Sequence, residues 1–354
     1  MKNLRHTPLA EIEETLKEWG EPKFRAAQIH DWIWKKHVSS IDEMSNLSKA
    51  LREKLQSAFV IPKVTIDHSQ FSNDGTIKSR LKLHDERFIE GVLIPTEKRI
   101  TACVSSQVGC SLSCKFCATG YLKRMRNLEF DEIVDEVTLI NQQAEKHFNR
   151  HLSNIVFMGM GEPLLNYKNV LKAIERITSP DGLGMSPRRI TVSTAGVSKM
   201  IKQLGDDGVK FKLALSLHAA NDKKRNEIMP INESNDLKTL IESLNYFYQK
   251  TGNEITLEYI LFKDFNDSIQ DADELVKVYR QIPADLVNII EYNAIDEADF
   301  SKPDESVTDK FMGYLASKRV NARLRRSRGK DIDAACGQLA NIDRNELPGA
   351  IIAQ

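Results

Sequence analysis

Three cysteines in the run Cys110-Ser-Leu-Ser-Cys114-Lys-Phe-Cys117 carry the most specific chemistry in this 354-residue chain. The C-x3-C-x2-C spacing places three thiols within eight residues, with no fourth nearby. Four crowded ligands would suit a closed structural zinc site or a fully ligated iron–sulfur cluster. Three suit a 4Fe-4S cluster whose fourth iron stays open. An open iron can chelate the amino and carboxylate groups of S-adenosyl-L-methionine (SAM), whose sulfonium an electron from the cluster then splits. A zinc site completed by a remote residue and a Cys114/Cys117 redox pair are the alternatives.

The elements that must hold these thiols follow from hydrophobic patterning. From residue 99 onward, strand patterns at 100–106, 154–158, 189–193, 212–217, 256–261 and 286–291 each precede a helical pattern, the first two of these helices at 131–147 and 167–177. Six strand–helix units predict a parallel sheet with crossover helices, and six fall short of a closed eightfold barrel. The expected fold is therefore α/β, an open partial (β/α)6 barrel over 99–340. Ligands of such a sheet gather at the C-terminal ends of its strands. Gly159-Met-Gly161-Glu162-Pro163, Ser193, Ser216-Leu217-His218 and Asn293 all fall at such ends. Singly, a G-x-G is an ordinary tight turn and a hydroxyl or amide an ordinary strand-end cap.

Two smaller sections precede the barrel. Residues 1–60 read as a helical accessory domain, with Leu9, Ile12, Leu16 and Trp19 at helical spacing before Gly20, then Ile29, Trp32 and Ile33, then Leu47, Leu51 and Leu55. The tryptophans read as core, and Lys23, Arg25, Lys35 and Lys36 as candidate phosphate contacts. Residues 61–98 read as a small β-rich connecting section, with strands at 64–70, 77–83 and 88–94 and a turn at Asn73-Asp-Gly75. Residues 341–354 read as a tail, and everything from residue 340 on as of little structural consequence.

With 41% hydrophobic and 28% charged residues, the composition is that of a soluble globular protein. No apolar run reaches the ~20 residues a membrane span needs. The amino terminus, Met1-Lys-Asn-Leu-Arg-His, lacks the apolar core of a signal peptide, and five cysteines do not make a secreted disulfide framework, so a cytoplasmic protein is expected. Basic and acidic residues balance at 50 each. Any nucleic-acid contact must therefore come from local concentration, and residues 318–330 hold seven Lys/Arg and no acid.

The stretch Cys103-Val-Ser-Ser-Gln-Val-Gly-Cys110 through Cys117, Gly159-Met-Gly-Glu-Pro163 and Gly329-Lys-Asp-Ile-Asp-Ala-Ala-Cys336-Gly-Gln-Leu339 together resemble the RlmN/Cfr family. These are radical-SAM enzymes that methylate adenine in ribosomal RNA. The resemblance implies a radical-SAM barrel with one 4Fe-4S cluster on Cys110, Cys114 and Cys117. It also implies a SAM site lined by Gly161, Glu162, Ser193, Ser216, Leu217, His218 and Asn293. Family members often have Pro after the Asn, whereas Ala294 stands here. Cys336 is then an S-methylcysteine carrier, charged by a first SAM and activated with a second; Glu90 accepts the ring proton; Cys103 is the resolving thiol that forms a transient disulfide with Cys336. Without the resemblance, Cys103 and Cys336 would be small buried hydrophobes and Glu90 an exposed strand carboxylate.

The implied reaction is methylation of adenine C2 in 23S rRNA and in the tRNA anticodon loop, with C8 methylation of the ribosomal adenine as the alternative. The implied partners are 23S rRNA, tRNA and an external flavodoxin-like electron donor, with the enzyme a monomer and no membrane involved. A glycyl-radical activase would share the cluster but leave Cys336 unexplained. An RNA-binding protein with a structural metal would leave Gly161 and Glu162 unexplained.

Overall fold

The computed structural model describes residues 1–341. Its first part contains helices α1 (Leu9–Glu18), α2 (Phe24–Trp34) and α3 (Lys49–Ala58). They bury Ile12, Leu16, Ile29, Ile33, Leu51 and Leu55 against one another. Trp34 is buried and Trp19 and Trp32 are packed against the core, as their reading as core residues requires. Lys2–Asn3 pairs in parallel with Phe59–Val60 and ties the two ends of this module together.

Ten strands form one sheet: β1 (Thr65–Phe71), β2 (Ile77–Lys82), β3 (Phe88–Pro95), β4 (Ile100–Cys103), β5 (Asn154–Phe157), β6 (Ile190–Thr194), β7 (Lys212–Ser216), β8 (Ile255–Leu261), β9 (Leu286–Glu291) and β10 (Ala322–Arg325). They lie side by side in the order in which they occur in the chain. Strands β1 to β4 pair antiparallel, and β4 to β10 pair parallel. The six expected parallel strands are all present, and β10, inside the basic run, adds a seventh. Residues 65–95 extend the barrel sheet itself, since Val92 of β3 pairs with Cys103 of β4. Central β8, Ile-Thr-Leu-Glu-Tyr-Ile-Leu, is buried at all seven positions, the pattern of a parallel strand covered on both faces.

Helices α4 (Ala118–Tyr121), α5 (Phe130–Phe148), α6 (Tyr167–Thr178), α7 (Ser198–Asp206), α8 (Asp222–Ile228), α9 (Leu237–Thr251), α10 (Ile269–Tyr279) and α11 (Glu305–Ser317) occupy the crossovers. A reciprocal capping box between Glu129 and Glu132 starts α5, and Asn149 in the left-handed region ends it. Among the described residues no helix is long and apolar enough to cross a membrane.

The amino-terminal module docks on the start of α5. Arg5 Nη1 lies 2.6 Å from Asp135 Oδ1, His6 Nε2 2.9 Å from Asp131 Oδ1, and the Asn3 amide donates to Asp131 at 2.9 Å. Both side chains of the Arg5–Asp135 pair are nearly sealed from solvent, at 4% and 11% exposure. Removing one partner of such a pair leaves an uncompensated charge. Arg5→Ala is expected to lower the unfolding free energy by about 3 kcal/mol, read as a reduced urea midpoint. Burial pushes the Asp135 carboxyl up to about 6 against the pull of Arg5. Without Arg5 it takes up a proton near neutral pH, which holds the loss at the lower end of that class. A midpoint equal to wild type would mean that the pair does not anchor the module.

After β10 the chain runs back across the mouth of the open barrel as a strap, residues 327–341. It first meets the hairpin at the opposite edge of the sheet and ends on β3, where the Ala340 and Asn341 N–H groups donate to Glu90. Ser72 Oγ donates to Asp331 Oδ1 at 2.6 Å, the Asn73 N–H donates to Asp331 Oδ2 at 3.0 Å, and the Gly329 N–H donates to Asp74 Oδ2 at 3.0 Å. Gly329 sits at φ +65, and a Cβ there would lie 2.9 Å from Thr76 Cγ2, so only glycine makes this turn without strain.

Candidate functional site

The cysteine loop leaves β4 and returns over the barrel mouth, where Cys110, Cys114 and Cys117 line one cavity. Burial pushes the Cys110 thiol up to about 11. Cys114 is raised by burial and then by the neighbouring Cys117 and Cys110 thiolates. Burial raises Cys117 too, with the N–H groups of Gly120 and Thr119 pulling against it. Among the described residues no three His, Cys, Asp or Glu side chains converge as they would around a single ion. A four-iron cluster puts each thiolate on its own iron and needs no such convergence.

Across the cavity, Gly161 and Glu162 follow β5. Gly161 takes φ +93, and a Cβ there would lie 2.5 Å from that of Gln107, so the backbone alone fits. Each Glu162 carboxylate oxygen accepts one backbone N–H, Leu164 at 3.0 Å and Ala195 at 2.8 Å. Burial pushes the carboxyl up to about 7; the groups that pull it back are the Ala195 and Leu164 N–H and the Thr194 hydroxyl, none of them a cation. A cationic ligand entering the cavity would reverse both the carboxyl and the thiol shifts. The residues present thus fit an amine-bearing sulfonium nucleotide beside a metal cluster.

Ser193 and Ser216 approach each other at 3.4 Å on adjacent strands and both line the cavity. His218 also lines it; its Nδ1 accepts the Ile260 N–H at 3.1 Å, which leaves the proton on Nε2. Burial, with the nearby Arg225 charge, pushes this imidazole down to about 3, so at neutral pH it is uncharged and offers the cavity an Nε2–H donor. Leu217 is buried away from the cavity lining, and its carbonyl is taken by Arg225 Nε at 3.1 Å. Asn293 reaches the strap, donating to Ser327 Oγ at 2.9 Å and to the Cys336 carbonyl at 3.4 Å.

The strap brings Cys336 to both chambers of the mouth. It lines the cavity of the three cysteines and a second cavity shared with Cys103, Met158 and Arg325. All five cysteines are free thiols, so Cys103 and Cys336 share a cavity without a standing disulfide. Glu90 is 3% exposed, because β3 lies beneath the strap and not at the surface. Its Oε2 accepts the Ala340 N–H at 2.9 Å and the Asn341 N–H at 3.2 Å, while Lys78 Nζ stands 3.6 Å from Oε1. Residues 340 and 341 therefore do have a structural part, and residues 342–354 of the expected tail lie outside the described residues.

Two side chains have surroundings that the local sequence does not reveal. Arg225 on α8 is fully buried and donates to the carbonyls of Ala195, Ser216 and Leu217, locking the ends of β6 and β7 together. Arg325, part of the basic run expected to contact phosphates, instead lies at the barrel mouth 3.6 Å from Glu258 Oε2. Arg323, Arg326 and Arg328 are exposed, as are Lys318, Arg319 and Lys330 at the two ends of the basic run.

Comparison with known proteins addresses this site as a whole. The Ribosomal RNA large subunit methyltransferase N-terminal domain matches residues 2–61, and the Radical SAM superfamily matches residues 104–276. A probable dual-specificity RNA methyltransferase RlmN from Cytophaga hutchinsonii is 55% identical over 96% of this chain and 93% of its own length. The chain belongs to the RlmN family of radical-SAM RNA methyltransferases. A second such relative, from Christiangramia forsetii, is 53% identical over 96% of both chains. The crystal structure of a radical SAM methyltransferase from Sphaerobacter thermophilus superposes with a TM-score of 0.89 at 37% identity, covering 96% of this chain and 99% of that one. RlmN-family enzymes are methyltransferases that use a 4Fe-4S cluster and SAM, and the partial barrel is the radical-SAM fold.

Proposed function

We propose that the protein methylates C2 of adenine in 23S rRNA and in tRNA, with Cys336 as methyl carrier. The observation that carries this reading is that Cys336 lines both the cavity of the three cysteines and the cavity of Cys103. One thiol can thereby face the methyl source and the resolving thiol in turn. Cys110, Cys114 and Cys117 would hold the cluster, and Glu162, Ser193, Ser216 and the Nε2–H of His218 would contact SAM. When bound, these groups supply methyl donation and one-electron hydrogen abstraction.

The remaining work falls to the chain. Cys336 accepts the methyl group and presents it to the base, its segment held by Asn293 and Ser327. Glu90 takes the ring proton. Because its Oε2 accepts the N–H groups of Ala340 and Asn341, the end of the strap must withdraw for the base to approach. Cys103 then attacks the Cys336 sulfur and frees the product, so any disulfide between them is transient. The helical module and the exposed Arg323, Arg326 and Arg328 would take RNA phosphates, acting in the cytoplasm where both RNAs are found. A flavodoxin-like protein would supply electrons to a monomeric enzyme. Relatives named RlmN, across 96% of the chain, support C2 over C8.

The test is nucleoside mass spectrometry of 23S rRNA and tRNA methylated in vitro, with 2-methyladenosine and 8-methyladenosine standards. 2-Methyladenosine is expected from both RNAs. A predominant 8-methyl product would overturn the C2 assignment, and product from rRNA alone would remove tRNA from the proposal.

A further inference from the structure

Arg325 and Glu258 form an ion pair that none of the steps above uses, with Glu258 sealed from solvent at 4% exposure and Arg325 about one-third exposed at 34%. Arg325 is the last residue of β10, and Glu258 stands in the middle of β8, two strands away. Glu258 Oε1 accepts from Thr256 Oγ1 at 3.1 Å and Asn288 Nδ2 at 2.8 Å, which fixes the carboxylate plane. Among the described residues its Oε2 has no hydrogen-bond partner, and it points to Arg325 at 3.6 Å. The guanidinium lies 3.9 Å from Met158 Sδ and lines the cavity that also holds Cys103 and Cys336. A guanidinium brings five donors and a permanent charge, and this one faces the cavity of Cys103 and Cys336.

The use lies next to it. Cys103 is 7% exposed and stands on β4 at the rear of that cavity. Burial pushes its thiol far up, the Cys336 thiolate adds to this, and Arg325 pulls the other way. The other charged groups around Cys103 do not help: Glu136 on α5 is itself driven up by burial, and Glu90 on β3 is a carboxylate paired with Lys78. Arg326 and Arg328, at the cavity's rim, are exposed.

We propose that Arg325, oriented by Glu258, is the counter-charge that lets Cys103 act as a thiolate in the product-releasing step. The inference rests on the proposed two-cysteine reaction. In that step the sulfur lone pair of Cys103 forms the S–S bond to Cys336. The electron pair of the Cys336 S–C bond leaves with the methylene carbon, where the purine ring delocalises it. That carbon then takes a proton and becomes the methyl group. A neutral thiol cannot start this sequence, and only the thiolate fraction reacts. Arg325 thus acts on a reacting sulfur, whereas Glu258 is a positioning residue acting through Arg325.

The test compares wild type, Arg325→Gln, Arg325→Lys and Glu258→Gln as anaerobic holoenzymes with matched iron content. First, alkylation of Cys103 by iodoacetamide is followed by peptide mass spectrometry across pH. The Arg325→Gln profile is expected to move at least one pH unit alkaline, about tenfold less labelling at a given pH below the midpoint. Arg325→Lys recovers most of the difference, and Glu258→Gln falls between. Second, the covalent enzyme–RNA species is followed by gel in a single turnover. In Arg325→Gln it decays at least tenfold more slowly near neutral pH, and the gap closes as pH rises. An unchanged alkylation profile, or decay slowed equally at every pH, overturns the proposal. If Cys103→Ala accumulates no cross-link, the failure belongs to the two-cysteine reading and not to Arg325.

Discussion

Replacing Cys110, Cys114 or Cys117 by alanine leaves anaerobically reconstituted protein without iron absorbance and with RNA methylation at background. The expected iron content drops from about four per chain to near zero. Three thiols are the whole ligand set that the loop offers, because the other two cysteines sit on β4 and on the strap. Each is needed, since a thiolate buried without its cluster is held protonated by its surroundings. Methyl transfer to an electron-poor ring carbon has no route through the side chains alone, so activity falls to the uncatalysed level and not to a fraction of it. Stoichiometric zinc with no iron in oxygen-free wild-type preparations would overturn the ligand assignment.

Cys336→Ala and Cys103→Ala both stop turnover, but they stop it on opposite sides of the covalent intermediate. Without Cys336 no methylated protein and no enzyme–RNA species forms. Without Cys103 the methyl is loaded and transferred, and the cross-link has no thiolate to break it. A denaturing gel of Cys103→Ala after one turnover should therefore show RNA shifted with the protein, up to nearly one per active site, while Cys336→Ala shows none. The shared cavity makes this division sharp, because the described residues place no other cysteine within it. Normal turnover by Cys103→Ala would remove that residue from the reaction.

How much of this could be read in the sequence depended on the range of the interaction. The cysteine triplet, the G-x-G turn and the strand-end serines are local patterns, and the structure gathers them at one mouth because parallel strands all end there. Arg225 was hidden in Asp-Lys-Lys-Arg-Asn-Glu-Ile, a stretch that reads as a solvated helix. It is buried because carbonyls at two strand ends satisfy its donors, Ser216 and Leu217 just before it and Ala195 one strand earlier. Arg325 was counted with its neighbours because strand alternation says that 325 and 326 face opposite ways without saying which is inside. The environment of Glu90 was illegible for the same reason, since its cover comes from residues 340 and 341 at the other end of the chain.

The strict agreement between strand order and chain order has a consequence for biosynthesis. Each strand leaving the ribosome finds its neighbour already made, so the sheet can grow by short-range pairing from β1 onward. The strap alone must span from the last strand to the first hairpin. Cys336, the proposed methyl carrier, is thus made last, after the cysteine loop and the strands around it. In the proposed reaction, a chain whose strap has not yet been made has its three cluster cysteines but no sulfur to carry the methyl group.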